Sequence, residues 1–168
     1  SIFKRDFEDG RISKDWEDLK KKYSNVAISA LFYSYESNSF STLSPNIVLK
    51  NNTLIKLPIF FSILSLLDQD KIKWNDTLIL EKDDIIKNSG WISYQKPGST
   101  YQVHEIASDM IILNENTAIN LLIKKIGIDN LNKQFRKFGL TDTRISLNND
   151  TKLLQSSTSL LDIFKIFS

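Results

Sequence analysis

The sequence predicts an α+β domain, and three observations carry that reading. A stretch rich in β-formers, Val26 to Leu43, is interrupted by one polar turn. At least four segments with helical apolar spacing follow it. With 168 residues, of which 41% are hydrophobic and 25% charged, the chain can bury a real core as one domain over residues 1–168.

Composition also excludes several functions. The 22 Lys and Arg against 20 Asp and Glu leave a net charge of +2, which gives no electrostatic ground for a nucleic-acid partner. There is no cysteine, and His104 is the single histidine, so disulfides, thiolate zinc, a cysteine nucleophile and a multi-histidine metal site are ruled out. No cofactor is expected. The longest apolar run, Leu57 to Leu67, is broken by Pro58 and two serines. It falls short of the roughly 20 residues that a bilayer span takes, so no transmembrane segment is expected. The chain begins at Ser1, which leaves an upstream signal or anchor open.

The elements follow in order. Asp15 to Tyr23 places acids early and lysines late around Trp16, as the helix dipole favours, so residues 1–24 are expected to hold an amphipathic helix. Val26 to Tyr35 and Phe40 to Leu43 read as two strands joined by the turn Glu36 to Ser39. The next helix is expected to start at Thr53, capped by the neighbouring Asn52, and to reach Gln69. Its apolar residues cover nearly the whole circumference, which places it in the middle of the molecule. Pro58 falls near its first turn, where a missing N–H is cheapest. Thr77 to Leu80 reads as a short extended piece, and Ser89-Gly90 and Lys96 to Thr100 as loops. Helices are expected over Val103–Leu113, Thr117–Ile126, Asp129–Phe138 and Ser157–Phe167, with Gly127 and Gly139 as stops and Gln155 to Thr158 as a loop into the last of them.

Two places stand out chemically. Lys56 puts an ammonium one turn into an otherwise apolar helix, so it lines a cleft wall or is paired. Thr53 is three residues earlier on the same face, which is the spacing of an amine-assisted hydroxyl nucleophile at a helix N-terminus. The alternative is that Thr53 only caps the helix and Lys56 reaches outward to solvent. Asn114-Glu115-Asn116 lies between two apolar helices, where polar groups project into a cleft or merely cap the following helix.

Taken together, these segments resemble the class A β-lactamases and related penicillin-recognising serine enzymes, including the penicillin-binding transpeptidases. The resemblance rests on an ordered series: Asn52-Thr-Leu-Ile-Lys-Leu-Pro58, Asp70 to Asp76, Ser89-Gly90, Lys96 to Thr100, Asn114-Glu-Asn-Thr-Ala118 with Asn120-Leu-Leu122, and Phe138 to Thr143. It covers residues 25–167. It implies an N-terminal hairpin (within residues 1–52), a helical lobe (53–156) and a returning helix (157–168), without the remaining strands of the sheet.

The family's motifs are Ser-x-x-Lys, Ser-Asp-Asn and Lys-Thr-Gly. By this resemblance Lys56 matches the motif lysine, Asn116 the asparagine that holds substrate, and Trp91 a substrate-binding aromatic at the cleft rim. Thr53 takes the nucleophile's place with a β-methyl that stiffens χ1, Asn114 replaces the proton-relaying serine, and Glu115 replaces the aspartate. Between Thr143 and Ser157, where class A enzymes carry a deacylating glutamate, no glutamate occurs, and Asp150 is the nearest stand-in. No Lys-Thr-Gly follows before Ser168. The chain is therefore expected to be part of a longer protein, the favoured reading, or to have its sheet completed by a protein partner, or to be a reduced helical version of the fold.

The function expected is that of a degenerate, non-catalytic binding or structural module at the bacterial cell envelope or outside the cell. Its ligand would be a β-lactam or a peptidoglycan-like peptide. The alternative is an active β-lactamase or peptidase using Thr53 as nucleophile, Lys56 as base and Asn116 as orienter, with the third motif beyond Ser168.

Overall fold

The computed structural model describes residues 7–51, 53–148, 150–151 and 153–168. A two-residue strand β1 (Phe7–Glu8) leads into helix α1 (Gly10–Lys22), which Asp9 caps by accepting from the N–H groups of Arg11 and Ile12. The hairpin follows as β2 (Ala30–Ser34) and β3 (Ser39–Leu43), antiparallel, with β1 added parallel to β3. The strand order β1-β3-β2 leaves β2 at an edge among the described residues.

After β4 (Leu49–Lys50), the expected central helix arrives in two parts: a 3₁₀ turn over Thr53–Ile55, then α2 (Lys56–Asp68). The start at Thr53 is thus tighter than an α-helix. Asn52, expected as its cap, lies outside the described residues. Helix α2 runs through the middle of the molecule, packed by α3 (Val103–Ile112), α5 (Ile128–Lys137) and α6 (Leu160–Phe167). A two-stranded sheet of β5 (Thr77–Ile79) and β6 (Thr100–Gln102) precedes α3, and α4 (Asn116–Ile126) lies between α3 and α5. Ile59, Ile63, Ile106, Met110, Leu121, Leu122, Leu131 and Phe135 are fully buried where these helices meet, which removes their apolar surface from water.

The main correction concerns the segment before α6. Gln155 to Thr158, expected as a loop, belongs to strand β8 (Leu154–Thr158), and the last helix begins at Leu160 rather than Ser157. Strand β8 pairs with β4 on one side and with β7 (Arg144–Leu147) on the other. Ser and Thr hide the strand because they are equally at home in loops. What holds them here is the ladder itself, with Ile145 of β7 buried against α5. Asn132 of α5 extends that ladder, donating to the Ile145 carbonyl (2.7 Å) and accepting from its N–H (2.9 Å). Among the described residues no helix is long and apolar enough to cross a membrane.

Candidate active-site cleft

The 3₁₀ turn has a local consequence: three residues per turn bring side chains at i and i+3 into line. Thr53 and Lys56 therefore point into one cavity of about 390 Å³, which Asn114 and Asn116 also line. Asn114 projects from the α3–α4 connection in the left-handed conformation, φ +55°, which asparagine tolerates better than most residues. Its Oδ1 accepts from Thr53 Oγ1 at 2.9 Å and from Lys56 Nζ at 2.5 Å. Two donors on one oxygen fix the carboxamide's orientation and turn its Nδ2 away from both.

The cavity is lined as well by Ile55, Ile59, Ile86, Ile119, Ile145 and Leu154, and by Asn51, Asn120 and Ser156. Among the described residues no Asp or Glu lines it. Asp150 sits on an exposed turn, its N–H donated to Asn148 Oδ1, away from the cleft. Trp91 is also outside the cleft lining: its Nε1 donates to Asp109 Oδ2 at 3.0 Å and its ring meets Tyr101 edge to face. Among the described residues no cluster of three or more His, Asp or Glu side chains is placed to hold a metal ion.

Glu115, between the two asparagines, turns inward and is 1% exposed. Its carboxylate caps α4 through Thr117 N (3.2 Å) and accepts from Ser89 Oγ (3.4 Å) and Ile92 N (3.4 Å), tying the α3–α4 connection to the Ser89–Ile92 segment. The sequence marks Glu115 only as a departure from a motif. Its clamp depends on Gly90, distant in the chain, and no local pattern announces that contact.

Lys56 is 4% exposed and makes no salt bridge among the described residues. Desolvation holds its pKa below the ordinary 10.5, and the Glu115 carboxylate pulls weakly the other way. The folded chain thus releases this proton at lower pH than the unfolded chain does. Where the unfolded state binds the extra proton, stability rises with pH, so burying charged Lys56 is a cost at neutral pH that fades toward pH 10.5. Urea unfolding of the wild type and Lys56→Met from neutral to alkaline pH is expected to show the wild type gaining on the variant as pH rises. A constant difference would mean the amine is not desolvated.

A central helix that brings Thr53 and Lys56 to a cleft shared with Asn114 and Asn116, beside small antiparallel sheets, is the α+β arrangement of the β-lactamase and transpeptidase fold class. The profile of the Beta-lactamase enzyme family matches residues 11–167, and the chain belongs to that family. A structure of PBP-A superposes with a TM-score of 0.85 at 25% identity, covering 96% of this chain and 61% of the other. A PBP-A point mutant, solved as its acyl-enzyme complex with penicillin G, gives 0.83 at 24%, covering 95% and 61%. A β-lactamase from Sphaerobacter thermophilus gives 0.73 at 15%, covering 92% and 59%. The chain thus spans about 60% of the length of these structures. No curated protein matches it.

Proposed function

We propose that the chain is a binding module in which the cleft at Thr53, Lys56, Asn114 and Asn116 captures a ligand without turning it over. The observation that carries this reading is the direction of the Thr53 proton. A hydroxyl nucleophile must pass its proton to a base as it attacks. Here that proton is aimed at Asn114 Oδ1, an amide oxygen that does not take it up, and the Lys56 ammonium occupies the same acceptor. The lining without a carboxylate supports the reading further, because hydrolysis of an acyl-enzyme needs a water-activating base.

The ligand we propose is a β-lactam or a peptidoglycan-like peptide, met at the bacterial cell envelope. Penicillin G is the group held by the PBP-A mutant, and the fold likeness motivates trying it here. The edge that β2 forms among the described residues would take a further strand, from this protein or a partner. Trp91 would contribute to ligand contact only from the cleft's surroundings.

One observation favours a second reading, acyl transfer by Thr53 with Lys56 as base. The lowered pKa of Lys56 enlarges the neutral amine fraction that a base requires. Intact-mass measurement after incubation with benzylpenicillin separates the two. No stable adduct and no turnover are expected, for the wild type or for Thr53→Ser. An adduct abolished by Thr53→Ala would replace the binding reading with the enzymatic one.

A further inference from the structure

The cleft is more apolar than its polar rim suggests. Asn120 donates to the Asp84 carbonyl at 2.9 Å, and Asn51 Oδ1 accepts from Ser156 N at 2.9 Å, so both amides are occupied by the fold. The Asn116 carboxamide has no hydrogen-bond partner among the described residues, and the Lys56 ammonium has only the Asn114 oxygen. The cavity these two groups line is also lined by Ile55, Ile59, Ile86, Ile119, Ile145 and Leu154, of which Ile86, Ile119 and Leu154 keep exposed surface. A volume of about 390 Å³ lies in the range of small-molecule sites.

We infer that this cleft holds an aliphatic carboxylic acid, its carboxylate on Lys56 and Asn116 and its hydrocarbon chain against the isoleucine wall. The inference rests on the binding-module reading and narrows its ligand from a β-lactam or a peptidoglycan-like peptide to an acid with an apolar chain. A nearly buried ammonium without a carboxylate partner is costly, and an anionic head relieves that cost with charge-assisted hydrogen bonds. The wall offers no donor or acceptor, so a ligand that is polar throughout would bury unpaired groups against it. A hydrocarbon chain loses nothing there. Each methylene it buries is worth about fourfold in affinity.

The test is a calorimetric or NMR titration of the 168-residue chain with butanoate, hexanoate, octanoate and octylamine, and in parallel with benzylpenicillin. Affinity is expected to rise roughly fifteenfold for every two carbons until the wall is covered. Octylamine, with the wrong charge for Lys56, is expected not to bind at the cleft. Lys56→Met should weaken octanoate by about tenfold or more. Ile86→Ser, at a side chain already 41% exposed and so tolerated by the fold, removes apolar surface without adding charge and should weaken octanoate while sparing butanoate. Absence of octanoate binding, an affinity indifferent to chain length, or binding that survives both substitutions would overturn the inference. If benzylpenicillin binds reversibly and octanoate does not, the binding module stands and the aliphatic ligand falls. If benzylpenicillin instead acylates Thr53, the binding-only reading falls, and the acid series still decides what the wall accepts.

Discussion

Gly90→Ala is expected to destabilise the chain by about 2–5 kcal/mol, combining backbone strain with overpacking. Gly90 has φ +132° and ψ −173°, a region that residues with a Cβ scarcely enter. A Cβ built there would lie 1.8 Å from Glu115 Oε2 and 2.5 Å from its Cδ. A carboxylate at the end of a flexible side chain usually swings aside. This one is buried and held by Thr117 N, Ser89 Oγ and Ile92 N, so moving it breaks three hydrogen bonds in a place where water does not replace them. For a chain of this length the midpoint of thermal unfolding should fall by roughly 5–15 °C, measured by circular dichroism. The double-mutant cycle with Glu115→Ala identifies the cause. Removing the carboxylate relieves the clash, so the double variant should be more stable than the sum of the single losses allows. Strict additivity would mean that backbone strain alone accounts for the effect. Because Glu115 is flanked by Asn114 and Asn116, Gly90→Ala should also displace both carboxamides and weaken ligand binding at the cleft, although Gly90 itself does not line it.

That contact marks where sequence reasoning ends. The helices, the hairpin and the meeting of Thr53 and Lys56 are legible because each rests on local periodicity: 3.6 for α3 to α5, 2 for the hairpin, and i, i+3 for the hydroxyl–amine pair. Thr53 and Asn114 are 61 residues apart in the chain, and only family likeness anticipates their pairing. What the likeness does not convey is the direction of the bond, which turns the hydroxyl toward an amide. Strand β8 is illegible because Gln155-Ser-Ser-Thr carries no apolar alternation, and its pairing is supplied by β4 and β7. The isoleucine wall is equally hidden. Its residues come from the 3₁₀ turn, α2, the segment before Ser89, α4 and two strands, and each reads as ordinary core in its own segment.

Asp162→Ala is expected to cost about 3–5 kcal/mol, because it removes one member of a buried, charged network and leaves the others unpaired. Asp162 is 0% exposed in the first turn of α6. Its Oδ2 accepts from Asp142 N at 2.7 Å and from Thr143 Oγ1 at 2.9 Å, and its Oδ1 accepts from Lys165 Nζ at 2.7 Å. Its own N–H donates to Ser159 Oγ, whose hydroxyl donates in turn to Asp142 Oδ2. With alanine the Asp142 N–H loses its acceptor, Thr143 Oγ1 keeps only Thr158 Oγ1, and Lys165 keeps only the Gly139 carbonyl. Lys165→Met should be milder, since the carboxylate keeps its two other contacts and the lysine is partly solvated. Urea midpoints of the two variants measure the contrast, and an Asp162→Ala loss no larger than that of Lys165→Met would show that the ion pair, rather than the strand anchorage, is what α6 contributes. Thr143 adjoins β7 and its hydroxyl also bonds Thr158 of β8, 2.8 Å away. Those two strands carry Ile145, Leu154 and Ser156 to the cleft. Loosening Asp162 should therefore reach the isoleucine wall through the β7–β8 pair and weaken octanoate more than butanoate, whereas Gly90→Ala, acting at the polar rim, should weaken both alike.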